Sequence, residues 1–251
     1  MSTFTPALDP ALAIALPAAH GRRWLACLAF AMAPLGAWGQ GASCSSDGQP
    51  RPLAILERFI NADCAECWTD PTTPRPSARA LALDWIVPGS RGQEAALSAA
   101  ATHDGLARLK ALGRAVPAQS EALESRLLAA ARTLRVAHGP PFNGYMGASM
   151  ELKPAGKGPW SAWLALVESV PAGTEDSPVA RNLVRTVFQP PWELRRLPST
   201  AEQKRLFDSR PLRIPEGANP ERLSVVGWVQ DARGRIRAIA QSRCTPAASS
   251  P

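Results

Sequence analysis

The chain alternates short apolar runs with proline-broken polar stretches. "PLAILERFI", residues 52–60, is apolar at most positions and predicts a strand running into a cysteine pair. "TDPTTPRPSARA" follows, and Pro71, Pro74 and Pro76 bar a continuing helix. "RALALDWIV", residues 79–87, predicts a second buried strand, closed by Pro88-Gly89. Residues 91–116 are rich in Ala and Leu and predict partial helix, interrupted near "THDG". The longest predicted helix covers 120–137. Leu123, Leu127, Ala131 and Leu134 would share one face, with Arg126 and Arg132 off it, Ser120 as N-cap and Gly139-Pro140-Pro141 as the stop. Beyond it the texture changes to strands: "WSAWLALVESV" (160–170), "ARNLVRTVF" (180–188) and "RLSVVGWVQ" (222–230). "VVGWVQDARGRIRAIAQ" predicts a hairpin, two alternating runs around the turn "DARG". No internal repeat is visible.

Composition narrows this picture modestly. The 251 residues allow one large domain or two small ones, and 45% hydrophobic with 20% charged residues is ordinary for a globular protein. The 25 prolines are dispersed, which indicates many turns rather than a low-complexity tail. The formal charge is +7, and only Lys110, Lys153, Lys157 and Lys204 among the basic residues are not arginine. The arginines are scattered and no run interleaves them with aromatics, so the charge reads as surface charge and no nucleic-acid partner is expected.

The N-terminal segment carries an export pattern. Arg22 and Arg23 precede "WLACLAFAMAPLGAWG", residues 24–39, an apolar run short and broken by Pro and Gly, with small residues after it in "GQGAS". This predicts a secretion signal over 1–42, cleaved near 39–42, and a periplasmic or secreted mature chain that meets a membrane only through that signal. Cleavage removes Cys27 and leaves Cys44, Cys64, Cys67 and Cys244. Four cysteines in an oxidising compartment predict two disulfides with three pairings. We favour Cys44–Cys244 as a structural staple between the two ends of the mature chain, the alternative being that one of them resolves the Cys64–Cys67 pair.

The order strand, Cys-x-x-Cys, strand, long helix, proline loop, strand resembles the thioredoxin-like superfamily over roughly residues 50–150. The chain is also similar to a secreted bacterial thioredoxin-like family of unknown function. That similarity rests on Cys64/Cys67, Asp84-Trp85, "ARNLVRTVF" and "VVGWVQDARGRI". It implies an α/β fold: a thioredoxin-like domain over 43–147, a mostly β lobe over 148–244 packed on or completing it, and a disordered tail at 245–251. It further implies Cys64 as nucleophile and Cys67 as resolving thiol. Pro141, or else Pro140, would be a cis-proline holding the partner's backbone. Trp68 and Trp85 are candidates to shield the pair, with Trp68 meeting substrate, the alternative being that both are simply core. The partners implied are thiol- or disulfide-containing exported proteins, with no cofactor.

The local chemistry argues against strong activation. Pro71 limits any helix after the pair, and with it the dipole that would lower a thiol pKa. Asp63 and Glu66 bracket Cys64, and carboxylates oppose a thiolate. An inert short-loop disulfide is therefore the competing reading, and a non-enzymatic, disulfide-stabilised exported binding module the competing function. Zinc on Cys64, Cys67, His103 and His138 is a third reading, disfavoured because neither His has a partner at metal-site spacing; no metal is expected. Asp84 reads as a strand-end carboxylate facing solvent or capping a loop, with a buried proton-transfer group as the alternative.

Overall fold

The structure, a computed structural model, describes residues 44–128, 132–192 and 205–244. The leader expected at 1–42 and the tail expected at 245–251 lie outside these residues. In chain order the elements are β1 (Cys44–Ser45), β2 (Ala54–Asn61), α1 (Ala65–Thr69), β3 (Ala80–Val87), α2 (His103–Ala111), β4 (Ser120–Arg126), β5 (Thr133–Phe142), β6 (Tyr145–Lys153), β7 (Ser161–Val170), β8 (Arg181–Phe188), β9 (Leu206–Arg213), β10 (Leu223–Gln230) and β11 (Ile236–Gln241).

The strands form two sheets. One has the order β1-β5-β6-β9, the other β11-β10-β7-β8-β3-β2-β4. Among the described residues, only β2–β3 and β3–β8 pair in parallel. The thioredoxin-like α/β expectation is thereby overturned: the described chain is mostly strand, with two short helices. The large sheet takes strands from both sides of residue 147, and β6 runs across that position.

The main correction falls on 120–137. Residues 120–126 are β4, an edge strand paired along β2 from Ser120↔Ile60 to Arg126↔Ala54, and β5 begins at Thr133. Residues 129–131 of the expected helix lie outside the described residues. Glu, Ala, Leu and Arg favour a helix by a few tenths of a kcal/mol each. A ladder along β2, with Leu123 and Leu127 packed against the core beneath α2, outweighs that preference. Pro140 and Pro141 do not terminate a helix; they sit at the register shift of β5 between His138 and Pro141. "THDG" starts a helix rather than breaking one, because Thr102 Oγ1 accepts from the Gly105 N–H and caps α2.

The strands over 54–61, 80–87, 161–170, 181–188 and 223–230 form where the apolar patterning places them, and β10–β11 is the expected hairpin. One core lies between the sheets, with Val136, Met150 and Leu152 facing Leu164, Leu166 and Val225. The sheets approach closely at Gly227, where a Cβ would stand 2.6 Å from Val136 Cγ1. A second core lies on the other face of the large sheet beneath α2: Phe59 stacks on Trp85, Trp85 meets Trp228 edge-on, and Trp228 stacks on Trp163.

Arg108 of α2 is fully buried in that second core. It forks onto Glu57 of β2 at 2.7 Å through both Nε and Nη2, donates to Gln230 of β10 at 2.8 Å, and lies over the Trp163 ring at 4.9 Å. β2 and β10 are separated in the sheet by β3, β8 and β7, so one guanidinium reaching both requires the sheet to curl around α2. A third cluster, Ile60, Ala62, Ile86 and Leu183, packs beneath α1 and Trp68.

Candidate functional site

β2 delivers the chain to the cysteine loop. Cys64 and Cys67 are joined in a disulfide, with Cα atoms 5.4 Å apart, and Cys64 stands at the start of the five-residue α1. Cys64 is 4% exposed, while Cys67 is half-buried. The expected nucleophile is thus the covered member of the pair.

Asp63, the acid before the pair, is engaged elsewhere. Asp63 accepts from the Ser90 N–H at 2.7 Å and hydroxyl at 2.9 Å, and from the Arg91 N–H. Desolvation works against the Asp63 charge, but the hydrogen bonds from Ser90 and Arg91 outweigh it and hold the carboxyl below its ordinary value. Asn61 Oδ1 accepts from the Asp63 N–H and fixes the start of the loop. Gly89 permits this arrangement, since a Cβ there would collide with Asn61 Oδ1 and the Asp63 carboxyl. Gly89→Ala is therefore expected to destabilise the protein by about 1–3 kcal/mol, the scale of an overpacked site. Urea unfolding beside the wild type measures it, and an unchanged midpoint and slope would refute the close approach.

Behind the loop lies a buried charge cluster built from three strands. Asp84 of β3 is fully buried, so it neither faces solvent nor caps a loop. Its Oδ2 accepts from Arg58 Nη2 of β2 at 2.6 Å and from the Asn182 N–H at 2.9 Å, and its Oδ1 accepts from Arg181 Nη1 of β8 at 3.0 Å. Arg58 and Arg181 are 2% and 1% exposed. Arg181 then reaches the cysteine loop. Its Nη2 donates to the Trp68 carbonyl at 2.7 Å and the Cys67 carbonyl at 3.4 Å, and its guanidinium lies 4.5 Å over the Trp68 ring. Burial draws the Arg181 pKa below the ordinary guanidinium value, and the neighbouring Asp84 charge opposes that shift. Arg58 donates Nη1 to the Pro74 carbonyl, fastening the far end of the same loop. Trp68 Nε1 donates to the Glu175 carbonyl at 2.7 Å, so this side chain is part of the clasp.

The other predicted residues lie apart from the pair. Pro141 belongs to β5 of the four-stranded sheet, whereas the pair follows β2 of the large sheet. The cis bonds among the described residues are Lys153–Pro154 and Gly158–Pro159, so the expectation of a cis-proline at 140 or 141 beside Cys64 is corrected. Cys44 and Cys244 are joined, with Cα atoms 4.1 Å apart, tying β1 to the segment after β11. His138 pairs with Cys44 in register, and its ligating nitrogen lies within 4.8 Å of both sulfurs. Its Nδ1 is 2.9 Å from the Gly139 carbonyl, its Nε2 is buried without a partner, and burial draws its pKa down. His103 is exposed at the start of α2, so the ligand set Cys64, Cys67, His103 and His138 is not assembled.

A cleft opens beside the buried cluster. β3 and β8 share one registered pair, Asp84↔Leu183, so residues 80–82 have no registered partner in β8. Asn182 Nδ2 spans the gap to the Ala82 carbonyl at 2.9 Å. The opening is about 780 Å³ and is lined by Arg58, Arg75 and Arg243, with no acidic residue among the described lining.

Comparison with protein-family models, with curated proteins and with solved structures finds no match. The site therefore stands on its own geometry. Sequence reasoning missed Arg58, Arg181, Glu57 and Arg108. For the strand residues the available signal was charge inside an apolar strand, Glu57 and Arg58 in "LERFI" and Arg181 in "ARNLV", which with Asp84 in "LALDW" calls for buried partners; Arg108, in α2, carried no such signal.

Proposed function

We propose that this chain is an exported, disulfide-stabilised binding module in which Cys64–Cys67 is a structural clip. The observation that carries the reading is Arg181: one guanidinium binds both the buried Asp84 and the carbonyls of Cys67 and Trp68. Exchange at the bridge would require a thiolate to approach the S–S axis. Cys64 is 4% exposed, and both ends of its loop are fastened to buried arginines. Trp68, held by Arg181 and the Glu175 carbonyl, is not free to grip a substrate.

Export is supported by the two disulfides, which persist in oxidising compartments. No helix among the described residues is long and apolar enough to cross a membrane. The deciding experiment is insulin reduction by the oxidised wild type and by Cys64→Ser in the presence of dithiol. Equal rates at the uncatalysed level are expected. A wild-type rate clearly above that of the variant would overturn the clip reading in favour of an oxidoreductase.

A further inference from the structure

We propose that the cleft between β3 and β8 binds a small organic anion with an apolar body, its charged group held by Arg75 and Arg243. The assignment rests on the binding-module reading above and names the ligand class.

Charge balance is the first support. Arg58 and Arg181 are both buried and share one buried carboxylate, Asp84. Asp70 adds attraction on the Arg181 side. Arg58 lines the cleft, is paired with Asp84 and donates to the Pro74 and Ala180 carbonyls, and its Nε is buried without a hydrogen-bond partner. Two buried guanidiniums on one buried carboxylate leave a net positive charge beside the cleft, which an anion nearby offsets.

The second support is independent of the buried cluster. Arg75 and Arg243 come from distant parts of the chain to the same opening, both are exposed, and neither has a carboxylate partner among the described residues. Guanidinium groups recognise carboxylate and other oxyanions through paired N–H donors. The remaining lining is largely small and apolar, and Pro76, Ala172, Pro178 and Ala180 are exposed there. An inorganic ion would leave those walls wet, whereas an apolar tail covers them. At about 780 Å³ the cleft falls within the range of small-molecule sites. No registered β3–β8 pair lies at residues 80–82, so a ligand there displaces no pairing between these strands.

The experiment is calorimetric titration of the full mature chain with octanoate at fixed ionic strength, with 1-octanol and inorganic phosphate titrated separately. Octanoate is expected to bind at one site and to raise the melting temperature as its concentration rises. Arg75→Ala/Arg243→Ala is expected to weaken octanoate at least about tenfold, the effect of losing about 1.4 kcal/mol. Both side chains are exposed, and circular dichroism checks that the variant is folded. Arg126→Ala removes a surface arginine outside the cleft and should leave affinity unchanged.

Absence of octanoate binding, unchanged affinity in the double variant, or equal weakening by Arg126→Ala would each overturn the proposal. Phosphate binding as tightly as octanoate would overturn the apolar half, and octanol binding as tightly would overturn the anionic half. A chain that leaves insulin unreduced yet ignores octanoate loses this ligand alone. A chain that reduces insulin through Cys64 loses the clip reading whatever octanoate does.

Discussion

Asp84→Asn is expected to lower the unfolding free energy by about 3–5 kcal/mol, the cost of leaving buried charge unpaired. Asp84 is fully buried and is the carboxylate that Arg58 and Arg181 share. Asparagine keeps the shape but removes the charge and turns two N–H groups toward guanidinium donors. The damage should spread to the cysteine loop, because Arg181 also holds the Trp68 and Cys67 carbonyls and Arg58 the Pro74 carbonyl. Urea denaturation gives the global loss, and amide exchange across residues 64–76 reports the loop. Coupling is the sharper readout. Arg58→Met in the Asp84→Asn background should cost less than Arg58→Met alone, since the first change has already removed its partner. Additive losses would show that Arg58 and Asp84 do not act as a pair.

The second large effect belongs to the staple. Cys44–Cys244 closes a sequence separation of 200 residues, for which the chain-entropy model gives about 5 kcal/mol. The same model gives Cys64–Cys67, separated by 3, only about 1–2 kcal/mol. Replacing both Cys44 and Cys244 by Ser is therefore expected to cost several times what Cys64→Ser/Cys67→Ser costs, measured by urea unfolding of oxidised proteins. Equal losses would mean that the short bridge supports more of the fold than its loop length implies. The two bridges also differ in what they hold: the long one joins β1 to the segment following β11, and the short one shapes a loop over the Arg58–Asp84–Arg181 cluster.

These effects define how far the chain is legible without its fold. The two parallel strands around Cys64 and Cys67, the strands over 161–170, 181–188 and 223–230, and the final hairpin follow from runs of apolar and β-branched residues closed by turn residues. That patterning is a local property, so it survives without tertiary context. Residues 120–126 were not legible in this way, because their composition suits a helix and their strand state depends on an edge of β2 being available. The same holds for Pro141, whose place in the four-stranded sheet depends on which strand β5 joins.

The candidate site divides along the same line. Sequence identified the cysteine pair, the structural pairing of Cys44 with Cys244, and Asp84 as an unusual carboxylate in an apolar strand. It assigned Asp84 to solvent, because one carboxylate in an apolar strand has no visible partner until another strand supplies one. Arg58 lies 26 residues before Asp84 and Arg181 lies 97 after it, separations over which no spacing rule operates. Local side-chain pattern by itself determined most of the legible strands and the final hairpin, and placed the cysteine pair after the first of them. Only the tertiary structure decided which strands are neighbours, that two arginines share one buried carboxylate behind the cysteine loop, and that Arg58, Arg75 and Arg243 meet at one cleft. Those outcomes depend on burial and charge balance across distant segments, and neither exists until the sheets are assembled.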